Sequence, residues 1–246
     1  NRRSFFRNAE VRRALNYAVD RKTIVERAFR GHGIVADGPA WPLHWAHDAS
    51  VTAYAYDPAR AAALLEKALN AERAGGGRGS PNLKFVCLIP ENFQLWERLA
   101  LMVQRDLAEI GVDMVVESVP FDRFNQRIAE GDFDVVLMEM VSGFSVSRPF
   151  FFWHSGGLSN FSGYSSASTD RALDGLRRAS GEAEYRDSFR QLQEATFNDP
   201  PAIFLAWGQT ARAVSRRFDV LKAPGGDIRM TIGDWKLTAP STRAAN

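Results

Sequence analysis

Aromatic side chains are the groups in this sequence with the clearest capacity to bind a small molecule. They gather in two segments without helical or strand periodicity: GPAWPLHWAH, with Trp41 and Trp45, and the run from Phe144 through Phe150 to Trp153. A ring in such a segment either stacks on a ligand or packs in a small core beneath the loops. For a single ring we expect packing, but for the set we expect at least one ring to face a ligand. Trp45 and Trp153 are the predicted stacking walls.

Polar candidates come from the ends of predicted elements. Glu139 lies at the carboxyl end of FDVVLMEM, a stretch that predicts a strand, and open parallel sheets present their ligands at that end. An acid at a strand end can equally be solvated, so both roles stay open. The residues that follow, Met140, Ser142 and Phe144, together with Asn160 in a later loop, complete the predicted ligand-binding set.

Motifs of four common enzyme classes are absent from the sequence. It contains no GxxxxGK phosphate loop, no GxGxxG after the first strand of the crossover units, no GxSxG elbow and no HExxH. His44 and His47 have a spacing that suits a metal on a helical turn, but no third ligand stands nearby. Asp132 and Asp134 flank a strand start, where we expect both to face solvent rather than form a glycosidase pair. We therefore predict no catalytic residue, no metal site and no cofactor.

The composition is that of a globular protein with a sizeable core. The chain has 246 residues, 45% of them hydrophobic, and 31 basic against 29 acidic residues give a formal charge of +2. Because the basic residues are scattered, nucleic-acid binding is not favoured. No apolar stretch reaches the ~20 residues that cross a bilayer, and NRRSFFRNAEV lacks the apolar core of a signal peptide. The absence of an initial Met leads us to expect a fragment, and Cys87, the single cysteine, excludes an internal disulfide.

Hydrophobic periodicity predicts an α/β fold. Residues 10–29 give one broken helix or two short ones, and Asp57-Pro58 begins an amphipathic helix that ends before the glycine-rich connector AGGGRGSPN. The elements predicted after the connector are strand 83–89, helix 92–110, strand 112–119, a helix containing Phe121 and Ile128, and strand 133–140. Two successive crossover units place these three strands in a mostly parallel sheet with helices on its faces.

The last third of the chain has weaker signals. We predict a loop around PFFFWHSGG, helices that begin near Ser168 and Glu182, and an apolar strand from Pro201 to Trp207. Beyond Arg217 the chain is predicted to be mostly irregular.

Several segments, in order along the chain, resemble one known family. FFRNAEVRRALNYAVDRKTIVERAFRGHGIVADGPAWP is similar to its Arg-Ala-Leu-x-x-Ala helix, its Asp-Arg pair and its Gly-containing loop that ends in Gly-Pro. YDPARAAALLEKA resembles its Tyr-Asp-Pro helix, IAEGDFDVVLMEM its Asp-containing strand entry, and NFSGYSSASTDRALD its Asn-x-x-x-Tyr-Ser segment. The family is the extracellular solute-binding proteins of ABC transporters, in the oligopeptide- and dipeptide-binding group (family 5).

The resemblance implies a fold, a function and a location. Family members have two lobes that close over a ligand, so residues 1–246 would form a single C-terminal lobe, with 217–246 as a tail returning toward the absent N-terminal lobe. The implied fold is a periplasmic-binding-protein-like lobe with a mixed, mostly parallel sheet. The implied protein is not an enzyme: it captures a peptide, oligosaccharide or similar solute for the permease subunits of an ABC importer. Its location would be periplasmic or extracytoplasmic, with a lipoprotein anchor as one option.

One departure from the family pattern concerns the ligand's amino group. In peptide-binding relatives the segment after the third strand reads roughly Trp-x-Ala-Asp-Tyr-x-x-Pro, and its Asp receives that group, whereas here the segment is MVSGFSVSRP. The family's acid falls on Gly143 or Ser145, and Met140 and Phe144 take the places of the Trp and the Tyr. A buried ammonium without a counter-charge costs several kcal/mol. A peptide amino terminus is therefore not expected to be held in this way unless Glu139 substitutes.

Two alternative functions remain open. The same lobe architecture can serve as the ligand-sensing domain of a regulator, which a helix-turn-helix segment upstream would favour, whereas a lipoprotein signal would favour transport. A hydrolase with dispersed catalytic residues would need a nucleophile, a base and an oxyanion donor that converge in one pocket.

Overall fold

The computed structural model describes residues 4–51, 53–74, 83–140, 146–209, 213–221 and 228–238. The chain divides into two compact units, Asn1–Gly208 and Gln209–Asn246. None of the helices within the described ranges has the length and apolar character needed to cross a membrane.

The amino-terminal part folds as two short helices rather than one broken helix. A 3₁₀ turn (Ser4–Arg7) is followed by α1 (Ala9–Ala18), α2 (Arg21–Arg27) and a short strand, β1 (Gly33–Val35). Asn8 caps α1 by accepting from the Glu10 N–H at 2.9 Å, and Asp20 caps α2 by accepting from the Thr23 N–H at 3.0 Å. The capping residue at position 20 thus starts a new helix instead of extending the first.

The next helix, α3 (Pro58–Ala74), begins where the sequence predicts, at the Asp57-Pro58 pair. A proline in the first turn needs no N–H partner, and the Asp57 carboxylate accepts from the Arg60 N–H at 2.9 Å. The buried stripe of α3 packs on α1.

A three-stranded parallel sheet confirms the predicted crossover units. Its elements in chain order are β2 (Lys84–Pro90), α4 (Gln94–Ala108), β3 (Asp113–Val119), α5 (Phe121–Glu130) and β4 (Val135–Val136). β2 lies in the centre and pairs in parallel with β3 on one side and β4 on the other. Gly131 ends α5 with a φ of 69°, in the left-handed region that glycine adopts without strain. The fold class is therefore α/β, as predicted.

β4 is shorter than the predicted strand 133–140. At its start the Asp134 carboxylate, rather than a backbone carbonyl, accepts from the Val86 N–H at 3.0 Å. Beyond its end the Leu137 N–H still donates to the Leu88 carbonyl at 3.2 Å. A side chain has therefore replaced the backbone at the first position of the ladder, which shortens the regular strand.

The two acids at this strand start have different surroundings. The expectation that both face solvent is wrong for Asp134, because its carboxylate binds the backbone of the neighbouring strand. Asp132 is exposed and forms an ion pair with Arg127 at 2.9 Å.

Helices cover both faces of the sheet. Phe85, Cys87 and Ile89 of β2 belong to a core shared with α1, α3 and α4, whereas Leu88 points to the other face and packs with Phe124 of α5. This alternation follows from the two-residue period of a strand. Burial raises the pKa of the Cys87 thiol to about 12, which keeps it neutral and makes it a small core side chain.

The segment PFFFWHSGG is helical at its start, so the predicted loop is wrong there. α6 (Ser147–Trp153) carries Pro149 in its first turn, where a missing N–H costs little. The N–H of Phe150 donates to the Val146 carbonyl, and the N–H of His154 donates to the Phe150 carbonyl. Successive aromatic residues have no helical period, and this is why the pattern did not reveal the helix.

Two long helices follow, as predicted, and enclose a second core. They are α7 (Ala167–Arg178) and α8 (Glu182–Asn198), and they pack against each other. We call the core around them the Trp153 cluster, and its buried members are Ala40, Ala46, Trp153, Tyr164, Ala172, Leu173, Leu176, Phe189 and Leu192.

The predicted strand from Pro201 to Trp207 pairs with another strand only at its end. β5 (Ala206–Gly208) runs antiparallel to β1, with Trp207 opposite Ile34. The carbonyls upstream of β5 accept from side chains of the first two helices: Pro200 from Arg12, Ala202 from Asn16, and Phe204 from Arg21. These side chains take the place of a neighbouring strand.

The second unit contains a two-stranded antiparallel ribbon of β6 (Phe218–Asp219) and β7 (Lys236–Leu237). A 3₁₀ helix (Ile228–Asp234) precedes β7. The Trp235 indole donates to the Thr231 hydroxyl at 3.2 Å. The prediction of a mostly irregular segment beyond Arg217 therefore missed a short ribbon.

Candidate functional site

The chain leaves β4 through two of the predicted site residues. Glu139 is exposed, so its carboxylate is solvated. The side chain of Met140 is half-buried and packs against the Trp153 cluster. Ser142 and Phe144 fall in residues 141–145, outside the described residues. The carboxyl end of the third strand thus presents one charged group and one side chain that joins the second core.

Trp153, a predicted stacking wall, is a buried member of the cluster that bears its name. Only 8% of the residue is exposed. Its ring meets the Phe204 ring edge-on, with centroids 5.7 Å apart and an interplanar angle of 84°. The structure therefore brings Met140 and Trp153 together in one core, although they come from different predicted segments.

Trp45, the other predicted stacking wall, is 48% exposed. Its ring stacks on Tyr185 at 5.1 Å, and the Arg186 guanidinium lies 4.7 Å from the ring centroid. Arg186 also donates to the Trp45 carbonyl at 2.7 Å. Because Tyr185 packs against the Trp153 cluster, Trp45 lies on the outer side of that cluster with a large exposed area.

The two histidines with metal-like spacing have different partners. The Nδ1 atom of His44 accepts from the Ala46 N–H at 3.1 Å, and the His44 ring stacks on Phe189 at 4.6 Å. The Nε2 atom of His47 lies 3.3 Å from the Asp37 carboxylate. Within the described part of the chain, no three His, Cys, Asp or Glu side chains gather as a set that could hold a metal ion.

Asn160 holds together the turn between α6 and α7. Its Nδ2 donates to the carbonyls of Tyr164 at 2.7 Å and His154 at 3.2 Å, and its Oδ1 accepts from the Tyr164 N–H at 3.0 Å. The Tyr164 hydroxyl in turn donates to the Asp199 carbonyl at 2.7 Å, and burial raises the pKa of this phenol. Asn160 thus has a structural role in the described residues, and its contact with a ligand stays a prediction.

Trp207 is a candidate that the sequence did not single out. Its ring meets the Trp41 ring edge-on, with centroids 5.1 Å apart. Ala40, next to Trp41, is a buried member of the Trp153 cluster, and Phe204 packs against the same cluster. The sequence did place an aromatic residue, Trp207, at the end of an apolar strand. It could not indicate the partner, because Trp41 lies in a loop far away in sequence.

Two exposed rings stand at the carboxyl end of the parallel sheet. Phe93 follows β2 and is 40% exposed, and Phe121 follows β3 and is 52% exposed. Their rings stack with centroids 5.6 Å apart and an interplanar angle of 23°. Phe124, one turn after Phe121, is buried and lies 6.3 Å from it. An aromatic residue within three positions of the end of each strand was the signal that could have identified this pair.

Comparison with known proteins gives a consistent set of relatives. Residues 1–162 match the family model of the bacterial extracellular solute-binding proteins, family 5 Middle. Over 230 residues the chain is 25% identical to the oligopeptide-binding protein AppA of Bacillus subtilis, covering 88% of this chain and 42% of that protein. Over 214 residues it is 27% identical to the heme-binding protein A of Haemophilus influenzae, covering 82% of this chain and 37% of that protein.

Solved structures match over nearly the whole chain. The Bacillus subtilis AppA structure in complex with a nonapeptide has a TM-score of 0.78 at 23% identity, covering 96% of this chain and 49% of that one. The NikZ structure from Campylobacter jejuni in complex with Ni(L-His) has a TM-score of 0.76 at 25% identity, covering 95% of this chain and 49% of that one. The periplasmic-binding-protein-like fold expected from the sequence is therefore confirmed.

The chain spans less than half the length of the relatives described above. The family match nevertheless covers well over half of the chain. The family consists of binding proteins of transporters that act outside the cytoplasm, and their cargo differs from one relative to another. On this basis the chain belongs to the bacterial extracellular solute-binding proteins, family 5.

Proposed function

We propose that this chain is the C-terminal lobe of the substrate-binding component of an ABC importer. The observation that carries the proposal is the way the chain leaves β4: Glu139 is solvent-exposed while the adjacent Met140 packs against the aromatic Trp153 cluster. Just beyond the carboxyl end of a parallel sheet, where open α/β sheets place their ligands, one residue thus exposes a charge and the next contacts an aromatic cluster. Family membership supports the same function.

The mechanism is binding without covalent change. A solute would lie between this lobe and an N-terminal lobe, with residues 217–246 returning toward that lobe, and closure would present the loaded protein to the permease. Affinity would come from burial of the solute against rings, plus a few directed hydrogen bonds. Trp45, Trp153, Asn160, Ser142 and Phe144 remain the proposed contacts together with Glu139 and Met140.

The solute is proposed to be a small molecule of the peptide or oligosaccharide type. The relatives support a broad range, since one was solved with a nonapeptide, one with Ni(L-His), and one is named for heme binding. The proposed location is the periplasm or another extracytoplasmic compartment, with a lipoprotein anchor as one means of attachment. The proposed partners are the permease subunits and the N-terminal lobe, and nucleic acid is not among them.

A thermal-shift titration tests this function. The full-length protein, with both proposed lobes, would be heated with peptides of different lengths, oligosaccharides, heme and nickel-histidine as separate probes. A ligand at 100 times its dissociation constant stabilises the folded state by about 2.7 kcal/mol. A saturable shift with one chemical class supports solute binding and identifies the cargo. A well-folded two-lobe protein that shifts with none of them contradicts the proposal.

A further inference from the structure

His44 is a buried histidine whose neutral form is part of the fold. Only 6% of the residue is exposed. Its Nδ1 atom accepts a hydrogen bond from the Ala46 N–H at 3.1 Å, and this contact is buried. A ring nitrogen that accepts a hydrogen bond carries no proton, so the imidazole is neutral, with its hydrogen on Nε2. Protonation of Nδ1 would place two N–H groups opposite each other.

The His44 ring lies among aromatic side chains. Its centroid is 4.6 Å from that of Phe189, 5.8 Å from that of Tyr185 and 5.5 Å from that of Trp45. Burial raises the pKa of Tyr185, so this phenol is neutral and supplies no counter-charge. The faces of the rings attract a cation, but this attraction is smaller than the combined cost of burying an imidazolium and losing the Ala46 hydrogen bond.

The charged groups beside the stack oppose a second positive charge. The Arg186 guanidinium lies 4.7 Å from the Trp45 ring centroid and donates to the Trp45 carbonyl, so a cation is fixed to the residue next to His44. His47 follows in the same loop, and its Nε2 atom is 3.3 Å from the Asp37 carboxylate. Protonation strengthens that pair, because a charged imidazole attracts a carboxylate. Acid therefore tightens the contact at His47 while it breaks the contact at His44.

His44 anchors the loop that presents Trp45. We call residues 41–47 the Trp45 loop. Its inward-facing residues His44 and Ala46 are buried, whereas Leu43 is 60% exposed and Trp45 is 48% exposed. Ala46 is also a member of the Trp153 cluster. The hydrogen bond between the two inward-facing residues thus holds the outward position of the Trp45 ring.

We propose that His44 is a proton switch: its protonation releases the Trp45 loop, so that this lobe holds Trp45 in place near neutral pH and frees it in acid. The fold binds the neutral imidazole, so the stability that His44 contributes is complete above the free imidazole value of about 6.5 and is lost as the pH falls below it. The effect on solute capture rests on the proposed function, in which Trp45 contacts the solute. Acid would then weaken capture, while the His47–Asp37 pair keeps the end of the loop attached.

The first experiment follows single side chains in the full-length protein without solute. Ring-labelled histidine and 5-fluorotryptophan give NMR signals for each imidazole and indole, and His44→Asn and Trp45→Phe assign the two signals of interest. Between pH 8 and pH 4.5, His44 is expected to titrate at least about one pH unit below the free imidazole value of about 6.5, and the Trp45 signal to change with the same midpoint. The exposed His32 is the internal reference. Titration of His44 at or above about 6.5, or a Trp45 signal that changes only together with all other indoles, overturns the proposal.

A conservative substitution separates the proton from the hydrogen bond. The Oδ1 atom of an asparagine accepts from the N–H two residues later, as Nδ1 of His44 does, but it does not titrate. His44→Asn should therefore abolish the acid-induced change of the Trp45 signal, whereas the control His32→Asn should leave it unaltered. A change that persists in folded His44→Asn with the same midpoint places the proton on another group and contradicts the switch.

Binding measurements distinguish this inference from the function on which it rests. Calorimetric titration of the full-length protein with leucyl-leucine is carried out at pH 7 and pH 5. With a midpoint near pH 5.5, about a quarter of the molecules keep the loop in place at pH 5, so the dissociation constant should rise about fourfold, and it should stay constant in His44→Asn. An equal pH dependence in both proteins overturns the regulation and leaves solute binding intact. No binding at either pH, in a protein whose His44 and Trp45 signals titrate together, contradicts peptide capture and leaves the proton switch standing.

Discussion

The guanidinium of Arg21 donates from Nε to the carbonyl oxygen of Phe204 at 2.6 Å, across 183 residues of sequence. The same arrangement occurs twice more along this segment, from Arg12 to Pro200 at 2.9 Å and from Asn16 to Ala202 at 3.2 Å. Every second carbonyl is thus bound by a side chain, as it would be by a neighbouring strand. The family-like stretch VRRALNYAVDR therefore holds the segment that leads to Trp207.

Removal of the Arg21 side chain is expected to destabilise the fold. Burial lowers the pKa of Arg21 to about 10, so the cation carries a desolvation cost, but Arg21→Met would leave the partly buried Phe204 carbonyl without its donor. We expect a loss of about 2–3 kcal/mol in the free energy of unfolding, measured by urea denaturation. Arg27→Met on the exposed side of α2 is the control, with an expected change within about 0.5 kcal/mol. Equal effects of the two variants would show that packing alone holds the segment.

Local patterns in the sequence were sufficient to predict most of the parallel sheet. The crossover from β2 through α4 to β3 was predicted because the period of the hydrophobic residues changes from two in the strands to 3.6 in the helix, with short connections between them. The errors arose where a side chain competes with the backbone. Asp134 binds Val86 and shortens β4, and the three donors on α1 and α2 occupy carbonyls that were expected to pair with a strand.

The candidate site was only partly predictable, because several of its contacts join segments that are distant in sequence. The exposed position of Glu139 and the aromatic character around Trp153 follow from a strand end and a ring-rich segment. The pairing of Trp41 with Trp207 depends on a contact between a loop and a strand that are far apart in sequence, and no local period records it. The sequence around Asn160 indicates only a loop. The structure shows that the Asn160 side-chain amide forms hydrogen bonds with the backbone of Tyr164.

Asn160→Ala is expected to destabilise the turn between α6 and α7. The substitution removes a donor to the Tyr164 carbonyl and an acceptor for the Tyr164 N–H, both of which are partly buried. We expect a loss of about 1–2 kcal/mol in the free energy of unfolding. Asn198→Ala, at the exposed end of α8, is the matched control and should change stability by less than about 0.5 kcal/mol. An unchanged stability of the Asn160 variant would leave ligand contact as the reason for this side chain.

Asp20 is expected to make the fold sensitive to acid. Burial disfavours its carboxylate, but hydrogen bonds from the hydroxyl and N–H of Thr23 outweigh burial and lower its pKa. A carboxyl whose pKa is lower in the folded state than in the unfolded state contributes stability above the unfolded value of about 3.9. That contribution is lost as the pH falls through the folded value.

The test compares two substitutions at this cap. Asp20→Asn keeps a capping oxygen but does not titrate, so it should lose less stability than the unmodified chain between about pH 5 and pH 2. Asp20→Ala removes the cap and should cost about 1 kcal/mol near neutral pH. Urea denaturation across this pH range measures both effects. Identical acid profiles for the unmodified chain and Asp20→Asn would exclude Asp20 as a source of acid sensitivity.

Glu139→Gln tests whether the Glu139 carboxylate contacts the solute while still exposed to solvent or is buried when the solute binds. Because Glu139 is exposed, its removal should leave the unfolding temperature unchanged. An exposed ion pair contributes at most about 1 kcal/mol, so binding of leucyl-leucine, which has a free amino group, should weaken by no more than about fivefold. Binding of N-acetyl-leucyl-leucine amide, which lacks the free amino group, should not change, and calorimetric titration measures both affinities. A much larger loss for the free peptide alone would mean that the carboxylate is desolvated when the solute binds.

Phe121 and Phe124 offer a matched pair of rings on one helix, one exposed and one buried. Phe124→Ala should cost about 3–5 kcal/mol because it removes a buried ring from the core beneath α5. Phe121→Ala should cost less than about 1 kcal/mol, since about half of that residue is exposed and its ring stacks mainly on Phe93. If the solute extends over the carboxyl end of the sheet, Phe121→Ala will also weaken binding of a hydrophobic peptide while stability is nearly unchanged. Unaltered affinity would instead leave the Phe93–Phe121 pair as a surface outside the binding site.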